Sequence, residues 1–482
     1  MTEPYRPRLH FTPRRNWIND PNGLVWFGGE YHLFYQYNPF GDLWGHMSWG
    51  HAVSTDLVSW TELGVALPET DEAMIFSGSV VCDHANLSGF GKGDAPPLVA
   101  IYTAHHPTTP QRQSQCLAFS QDRGRTWTPY AQNPVLDLGL AHFRDPKVFW
   151  HAPSRALIMV VALSEANQVA FFASDDLKSW RALSTFGPAG CDGNLWECPD
   201  LFWVSAGDEA GGGTWLLKVD VFEGGVAGGS SAQLFTGHFD GESFLPDRDP
   251  QGKVKWSFCD YGPDFYAAVS FSNLPAADPR PLWLGWMANH RDAPLHPTTP
   301  WRGAMTYPRR MQARSGPSGW SIAQAFDPPL GPICTEKAML ARQVNGGATQ
   351  VLARCSPGKP VWARVQFARP RQTVTFHLAW STGARLSFGF DGASGLAFVD
   401  VSEMGQEAYR QPNAQSRWTM AVEANALDEI DLEVLLDAAS FELLAAEGVG
   451  ALTLSLFPQG DCLSLSVEAK GDLTLRGEMG QI

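Results

Sequence analysis

Apolar and aromatic positions come along this chain in short runs rather than long amphipathic stretches. EYHLFYQYN (30–38), PPLVAIYTAH (96–105), KVFWHAP (147–153), RALIMVVAL (155–163), QVAFFAS (168–174) and GTWLLKVDV (213–221) are punctuated by Gly, Pro, Asn and Asp. Runs of this length, rich in β-branched and aromatic residues and punctuated by turn formers, read as strands. No 3.6-residue periodicity persists far enough to build a helical domain, so the fold class is all-β.

A repeat narrows the architecture. Ser54-Thr55-Asp56-Leu57-Val58-Ser59-Trp60 recurs around Ser120, Asp122 and Trp127, and again around Ser174, Asp176 and Trp180, with a looser echo from Phe239 to Phe244. Each copy reads as strand, polar turn, then a strand opened by Trp. A spacing of about 60 residues fits a four-stranded blade with long loops, and between about residue 8 and residue 325 it gives roughly five blades of a β-propeller.

The composition turns linker-like at Phe326-Asp327-Pro328-Pro329-Leu330-Gly331-Pro332. Beyond it RVQFARP, QTVTFHLAW, ARLSFGF, DLEVLLD, ALTLSLF and CLSLSVEA follow at the short, even spacing of a β-sandwich. The expected organisation is a five-bladed β-propeller over 1–328 followed by a C-terminal β-sandwich over 329–482.

Composition then limits the partners. Nineteen Trp and 28 Phe, with only 18% charged residues, supply aromatic faces for a pocket. The formal net charge of -15 disfavours nucleic acid and an anionic membrane surface, which leaves a small neutral ligand. MTEPYRPRLHF carries no apolar signal segment, the longest apolar runs are too short to span a bilayer, and the eight cysteines are scattered without a CxxC pair. These features lead us to expect free thiols and a cytoplasmic protein.

Three carboxylates stand in unusual company: Asp20 in Asn19-Asp20-Pro21, Asp145 in Arg144-Asp145-Pro146, and Glu197 in Trp196-Glu197-Cys198-Pro199. Taken singly, Asp20 reads as the cap of a Pro21-Asn22-Gly23 turn, Asp145 as a local ion pair and Glu197 as a strand-end carboxylate. Taken together, their separations of 125 and 52 residues approximate two repeats and one repeat, which would bring them together around a propeller channel. Converging carboxyls repel, so one is held protonated while another stays ionised, the asymmetry that glycoside cleavage uses. His46, His51, His105 and His106 lack the spacing of a metal site, and the glycines between 224 and 229 lack a P-loop lysine.

WINDPNG (17–23), FYQYNP (34–39), WGHMSWGHAVSTDLVSW (44–60), FSGS (76–79), FRDPKVFW (143–150), WECPDLF (196–202), DYGPDFYAAVSF (260–271) and PWRGAMTYPR (300–309) together resemble glycoside hydrolase family 32. That is the family of invertases, inulinases and levanases. The resemblance implies a five-bladed propeller with a β-sandwich, and retaining cleavage of β-fructofuranosyl bonds without metal or organic cofactor. It makes Asp20 the nucleophile, Glu197 the general acid/base and Asp145 the stabiliser of the transition state.

The resemblance also implies a binding shell of Asn19, Gln36, Trp44, Phe76, Ser77 and Arg144, with Asp260, Tyr261 and Trp286 in matching motifs. The substrate class is sucrose, fructo-oligosaccharide or the end of a fructan. Transfer of fructose to another sugar, or a non-catalytic fructan-binding protein, remain as alternatives, and oligomeric state stays open. Two departures stand out. Asn289-His290 replaces the Asn-Trp of many members at the expected pocket mouth. Asp437-Ala438-Ala439-Ser440-Phe441-Glu442 lacks the usual Arg, which weakens any role carried over for the second domain.

Overall fold

The computed structural model describes residues 3–93, 95–207, 212–317, 319–405, 409–411, 414–422 and 429–482. Five antiparallel sheets follow one another along the first two thirds of the chain. Their innermost strands are Asn16–Phe27, Met74–Cys82, Phe143–His151, Asn194–Ser205 and Tyr266–Ser270. Each touches the next and the last returns to the first, so the sheets are blades I to V of a closed propeller. Closure is stitched by hydrogen bonds as well. Trp301–Arg302 pairs in parallel with Asn16–Trp17, and Ser272 N donates to Leu24 O at 2.9 Å.

The repeat seen in the sequence is the turn between the third and fourth strands of a blade. In blade I, Asp56 Oδ1 accepts from Val58 N (2.9 Å) and Ser59 N (2.7 Å), while Ser54 Oγ accepts from Leu57 N (2.8 Å). Leu57 sits at φ +66°, and Trp60 Nε1 caps its carbonyl at 3.1 Å. Trp127 Nε1 and Trp180 Nε1 do the same for Gly124 O and Leu177 O in blades II and III. Blade IV keeps only the aspartate, whose Asp240 Oδ1 accepts from Glu242 N and Ser243 N. Blade V turns tightly between Gly316 and Gly319, which is why the motif fades there.

One apolar cluster fills each gap between blades. Phe34 and Trp49 meet Leu98 and Ala100 between I and II, Phe172 meets Val99 between II and III, and Phe171 meets Phe235 between III and IV. Phe265 meets Leu216 between IV and V, and Leu284 meets Leu33 between V and I. Each fully buried side chain of this kind contributes roughly 1.5–3 kcal/mol, so the ring is held by its gaps as much as by its ladders.

Beyond the four-residue helix Leu330–Ile333 the chain forms a seven-stranded and a six-stranded sheet that share a separate apolar core, a β-sandwich. Its union with the propeller is buried and partly apolar, with Leu9 and Tyr307 packed among Trp362, Leu435 and Leu444, and partly ionic. His10 bridges Asp437 Oδ2 (2.9 Å) and Glu442 Oε1 (2.8 Å), and Arg309 donates to Glu442 Oε2 through Nε (3.1 Å) and to Asp260 Oδ2 through Nη1 (3.0 Å). Thus the two acids of the Asp437 to Glu442 stretch still hold the propeller although the usual Arg is absent.

Candidate active site

All five innermost strands carry the same irregularity at the same level. Three steps along the inner strand match two on its neighbour between Ile18 and Pro21, Ile75 and Gly78, Arg144 and Lys147, Glu197 and Asp200, and Tyr266 and Val269. One extra residue per blade is a β-bulge, which re-aims side chains that a regular pleat would send to alternate faces. Asp145, Cys198 and Ala267 take positive φ (64°, 45° and 53°) at these bulges. Proline follows at 21, 146 and 199, where the ladder is already broken and no amide donor is lost. WINDPNG is therefore not a turn between strands but the bulged middle of one strand. Bulges and turns draw on the same φ-tolerant residues, hence the misreading.

In blade II the close approach is met by Gly78, where an added Cβ would fall 2.1 Å from Ile101 O. Its neighbour Ser77 thereby reaches blade I and donates from Oγ to Asp20 Oδ2 at 2.5 Å. Asn19 Nδ2 donates to the other oxygen at 3.0 Å, and Trp17 Nε1 fixes Asn19 Oδ1 at 2.8 Å. The Asn22 amide lies behind them in the orientation that satisfies both neighbours, 3.2 Å from Ser77 Oγ and 2.9 Å from Gln36 Nε2. Asp20 is thus held at both oxygens by neutral donors and lines a cavity of about 370 Å³.

Glu197 faces the same cavity with a different set of partners. Arg144 Nε donates to Oε1 at 3.1 Å with Nη2 3.0 Å from the same oxygen, and the Tyr266 hydroxyl donates to Oε2. Burial works against the guanidinium charge, but Glu197 and Asp145 beside it hold the Arg144 pKa above its ordinary value. Burial and the Glu197 charge likewise push the Tyr266 phenol up, so it stays a donor. Asp145 Oδ2 accepts from Cys198 N at 2.9 Å, and Cys198 Sγ stands between Asp145 Oδ2 (3.7 Å) and Asp20 Oδ2 (3.5 Å). Burial, with Glu197 and Asp20 nearby, raises the Asp145 carboxyl to about 7 against the pull of Arg144. Two of the three carboxyls, Glu197 and Asp145, share the one guanidinium.

The cavity wall contains Asn19, Gln36, Trp44, Phe76, Ser77 and Arg144 as expected from the sequence. Trp44 is 49% exposed and meets Phe76 edge-on at 6.1 Å. Three expected residues are elsewhere. Asp260 is spent on Arg309 and on Thr453 Oγ1 (2.6 Å) at the seam between the domains. Tyr261 packs against the sandwich core. Trp286 is fully buried one layer back, between Trp17 and His290. From that stretch it is Tyr266 that reaches the site, and His290 lines the cavity in place of the aromatic expected at its mouth.

Other wall residues were not legible beforehand. His105 stacks flat on Phe76 at 4.5 Å, and burial lowers its pKa to about 4, so it is a neutral platform. Gln113 Oε1 accepts from Arg144 Nη1 at 3.2 Å, and His142 Nδ1 lies 2.8 Å from the same nitrogen. Gln111 and Phe222 complete the rim. No group of three or more His, Cys, Asp or Glu suited to a metal ion occurs among the described residues. His46 instead meets Glu69 and His51 stacks on Phe34.

A five-bladed propeller whose channel gathers three carboxyls, one guanidinium and an aromatic wall defines a carboxylate-dependent glycoside hydrolase. Comparison with known proteins gives the family. Residues 10–324 match the glycosyl hydrolases family 32 N-terminal domain and residues 341–478 the family 32 C-terminal domain. The levanase of Bacillus subtilis (strain 168) is 40% identical over 473 residues, covering 97% of this chain and 68% of that protein. The crystal structure of exo-inulinase from Aspergillus awamori superposes with a TM-score of 0.91 at 33% identity, over 100% of this chain and 98% of that one. β-Fructofuranosidase from Schwanniomyces occidentalis, solved with fructosyl-erythritol, gives 0.87 at 28% identity over 99% and 97% of the two chains. This chain belongs to glycoside hydrolase family 32.

Proposed function

We propose that the chain is a retaining β-fructofuranosidase that releases terminal fructose from the non-reducing end of sucrose, fructo-oligosaccharides or a fructan. The observation that carries this reading is the convergence of Asp20, Asp145 and Glu197 on one cavity, each carboxylate with its own set of partners. Asp20 is held at both oxygens by neutral donors, whereas Glu197 sits between a phenol and a guanidinium. The names of the related levanase, exo-inulinase and β-fructofuranosidase support the substrate class.

In the first step Asp20 attacks the anomeric C2, the bond from C2 to the leaving oxygen breaks, and protonated Glu197 gives its proton to that oxygen. In the second step Glu197 takes a proton from water, whose oxygen displaces Asp20 and frees fructose. Asp145 does not react. Its Oδ2 is fixed by Cys198 N, which leaves the rest of the carboxyl for fructose hydroxyls whose hydrogen bonds strengthen as the ring flattens.

Timed product analysis with sucrose, inulin-type oligosaccharides and levan tests the reading. Free fructose as the first product establishes exo-hydrolysis, and the relative rates name the substrate. Longer early products mean transfer or internal cleavage, and no product from any of them refutes the proposal. Added methanol should trap methyl β-fructofuranoside; the α anomer would show inversion.

A further inference from the structure

Beneath the cavity floor a lysine and an aspartate pair where the proposed chemistry does not require them. Lys218 and Asp220 lie on Gly213–Glu223, the strand beside the one that carries Glu197, and both side chains are fully buried. Lys218 Nζ donates to Asp220 Oδ2 at 2.6 Å and to the carbonyl of Cys198 at 3.0 Å. The other oxygen, Asp220 Oδ1, is buried without a partner among the described residues.

Their register explains what they hold. Asp220 is paired with Glu197 and Lys218 with Asp200, so Cys198 and Pro199 face the single residue Val219 across the bulge. There the ladder cannot satisfy the Cys198 carbonyl, and the ammonium of Lys218 does so instead. The same Cys198 uses its amide on Asp145 and its thiol on Asp145 and Asp20. One lysine thereby fixes the residue that joins all three carboxylates, the third through the peptide bond to Glu197.

Two buried charges are costly, and an apolar pair of the same volume would often be at least as stabilising. Stability alone therefore does not account for them. Resting on the reading of Glu197 as the acid/base, we propose that Lys218 and Asp220 are positioning residues that hold the Glu197–Cys198 bulge in register and set the charge behind the acid.

The electrostatic coupling agrees with this. Burial raises the Asp220 carboxyl above the ordinary carboxylate value against the pull of the Lys218 ammonium 2.6 Å away, and repulsion from Asp20 and Glu197 contributes to the rise. Burial opposes charge on Lys218 too, yet Asp220 holds its pKa above the ordinary value, so it remains an ammonium. Cys198, Cys259 and Tyr266 are the other titratable groups that feel Asp220. Glu197 is faced besides by Arg144 and Asp145 from blade III, by His142, and by Tyr266 and His290 from blade V.

The test is the pH profile of kcat in Lys218→Met and Asp220→Asn, the second of which keeps an acceptor for the lysine. Removing the cation makes Glu197 hold its proton more tightly, so the alkaline limb moves to higher pH. Removing the anion leaves the cation uncompensated, and the limb moves to lower pH, each by about half a unit or more. Limbs that coincide with the parent's, or that move together, overturn the proposal, because a purely structural role lowers kcat without displacing them.

Lys218→Met leaves a buried carboxyl unpaired and could fail to fold, so the double variant Lys218→Met/Asp220→Leu is the second arm. It is expected to fold with kcat down about tenfold or more and KM within about twofold. Full kcat there overturns the proposal. Glu197→Gln run alongside separates the two readings, since an alkaline limb that survives in it refutes the acid assignment itself.

Discussion

Tyr266 donates its phenolic hydrogen to Oε2 of Glu197 across the boundary between blades V and IV. A donor of this kind stabilises the ionised carboxylate and so loosens the proton that the first chemical step must deliver. Tyr266→Phe should therefore move the alkaline limb of kcat/KM to higher pH and lower kcat by about tenfold, the worth of one charge-assisted hydrogen bond. A limb that stays in place while kcat falls would mean that the phenol acts on the substrate and not on Glu197.

Ser77 and Asn19 hold Asp20, the proposed nucleophile, from two different blades. Asp20→Asn removes the attacking charge and should abolish turnover while leaving a folded protein that still binds fructose; full activity would sink the nucleophile assignment. Ser77→Ala keeps the carboxylate but frees its Oδ2, so kcat should fall by roughly tenfold to a hundredfold with a smaller change in KM. A rise in KM alone would show that Ser77 serves the sugar hydroxyls and not Asp20.

Much of this site was readable in the sequence because each of the three cavity carboxylates is followed by the chemistry of a bulge. Asp20, Asp145 and Cys198 each precede a proline, and that local signature survives without knowledge of the pairing. Asp260, Tyr261 and Trp286 were misplaced for the opposite reason. Their motifs do lie near the channel, but a motif does not say which of its residues faces in: Asp260 and Tyr261 lie in the loop before Tyr266–Ser270, and Trp286 ends the strand Leu282–Trp286 with its ring buried behind the wall. Tyr266 reaches Glu197 from the bulge of blade V between Tyr266 and Val269, whose recognition requires the register with Trp286 and Leu284. His105, Gln111, Gln113 and His142 come from strand ends and loops that only the closed ring brings together.

The seam between the domains should respond to pH through His10. Burial alone would keep its imidazole neutral, but hydrogen bonds to Asp437 and Glu442 raise its pKa to about 9 from the ordinary 6.5. A raised folded-state value means that the stabilisation is complete below about pH 6.5 and is lost as pH climbs through 9, in all about 3 kcal/mol. Asp437 and Glu442 are lowered despite burial, so their share is present above their unfolded values and is lost as pH falls through the folded ones. Melting curves from pH 6 to pH 9.5 should show the parent losing several degrees that His10→Asn does not lose. Parallel curves would place the ionic seam outside the cooperative unit.

His290 lines the cavity that holds Glu197, the proposed donor to the leaving oxygen. Its ring leans on Trp286 (4.9 Å), Tyr266 (5.2 Å) and Phe222 (5.0 Å), and burial keeps it neutral by lowering its pKa. A neutral imidazole offers one donor and one acceptor beside Glu197, which a larger indole at this position would replace with a broader face and a donor alone. The expected partner is a hydroxyl of the sugar being released, because His290 lines the same cavity as Glu197, the proposed donor to that sugar's oxygen. His290→Phe keeps the ring contacts and removes both nitrogens. It should change the ratio of kcat/KM between sucrose and inulin-type oligosaccharides by about tenfold, while inhibition by free fructose stays within about twofold. If fructose inhibition weakens instead and the substrate ratio holds, the imidazole contacts the fructosyl ring and leaving-group choice is made by Trp44 and the exposed rim.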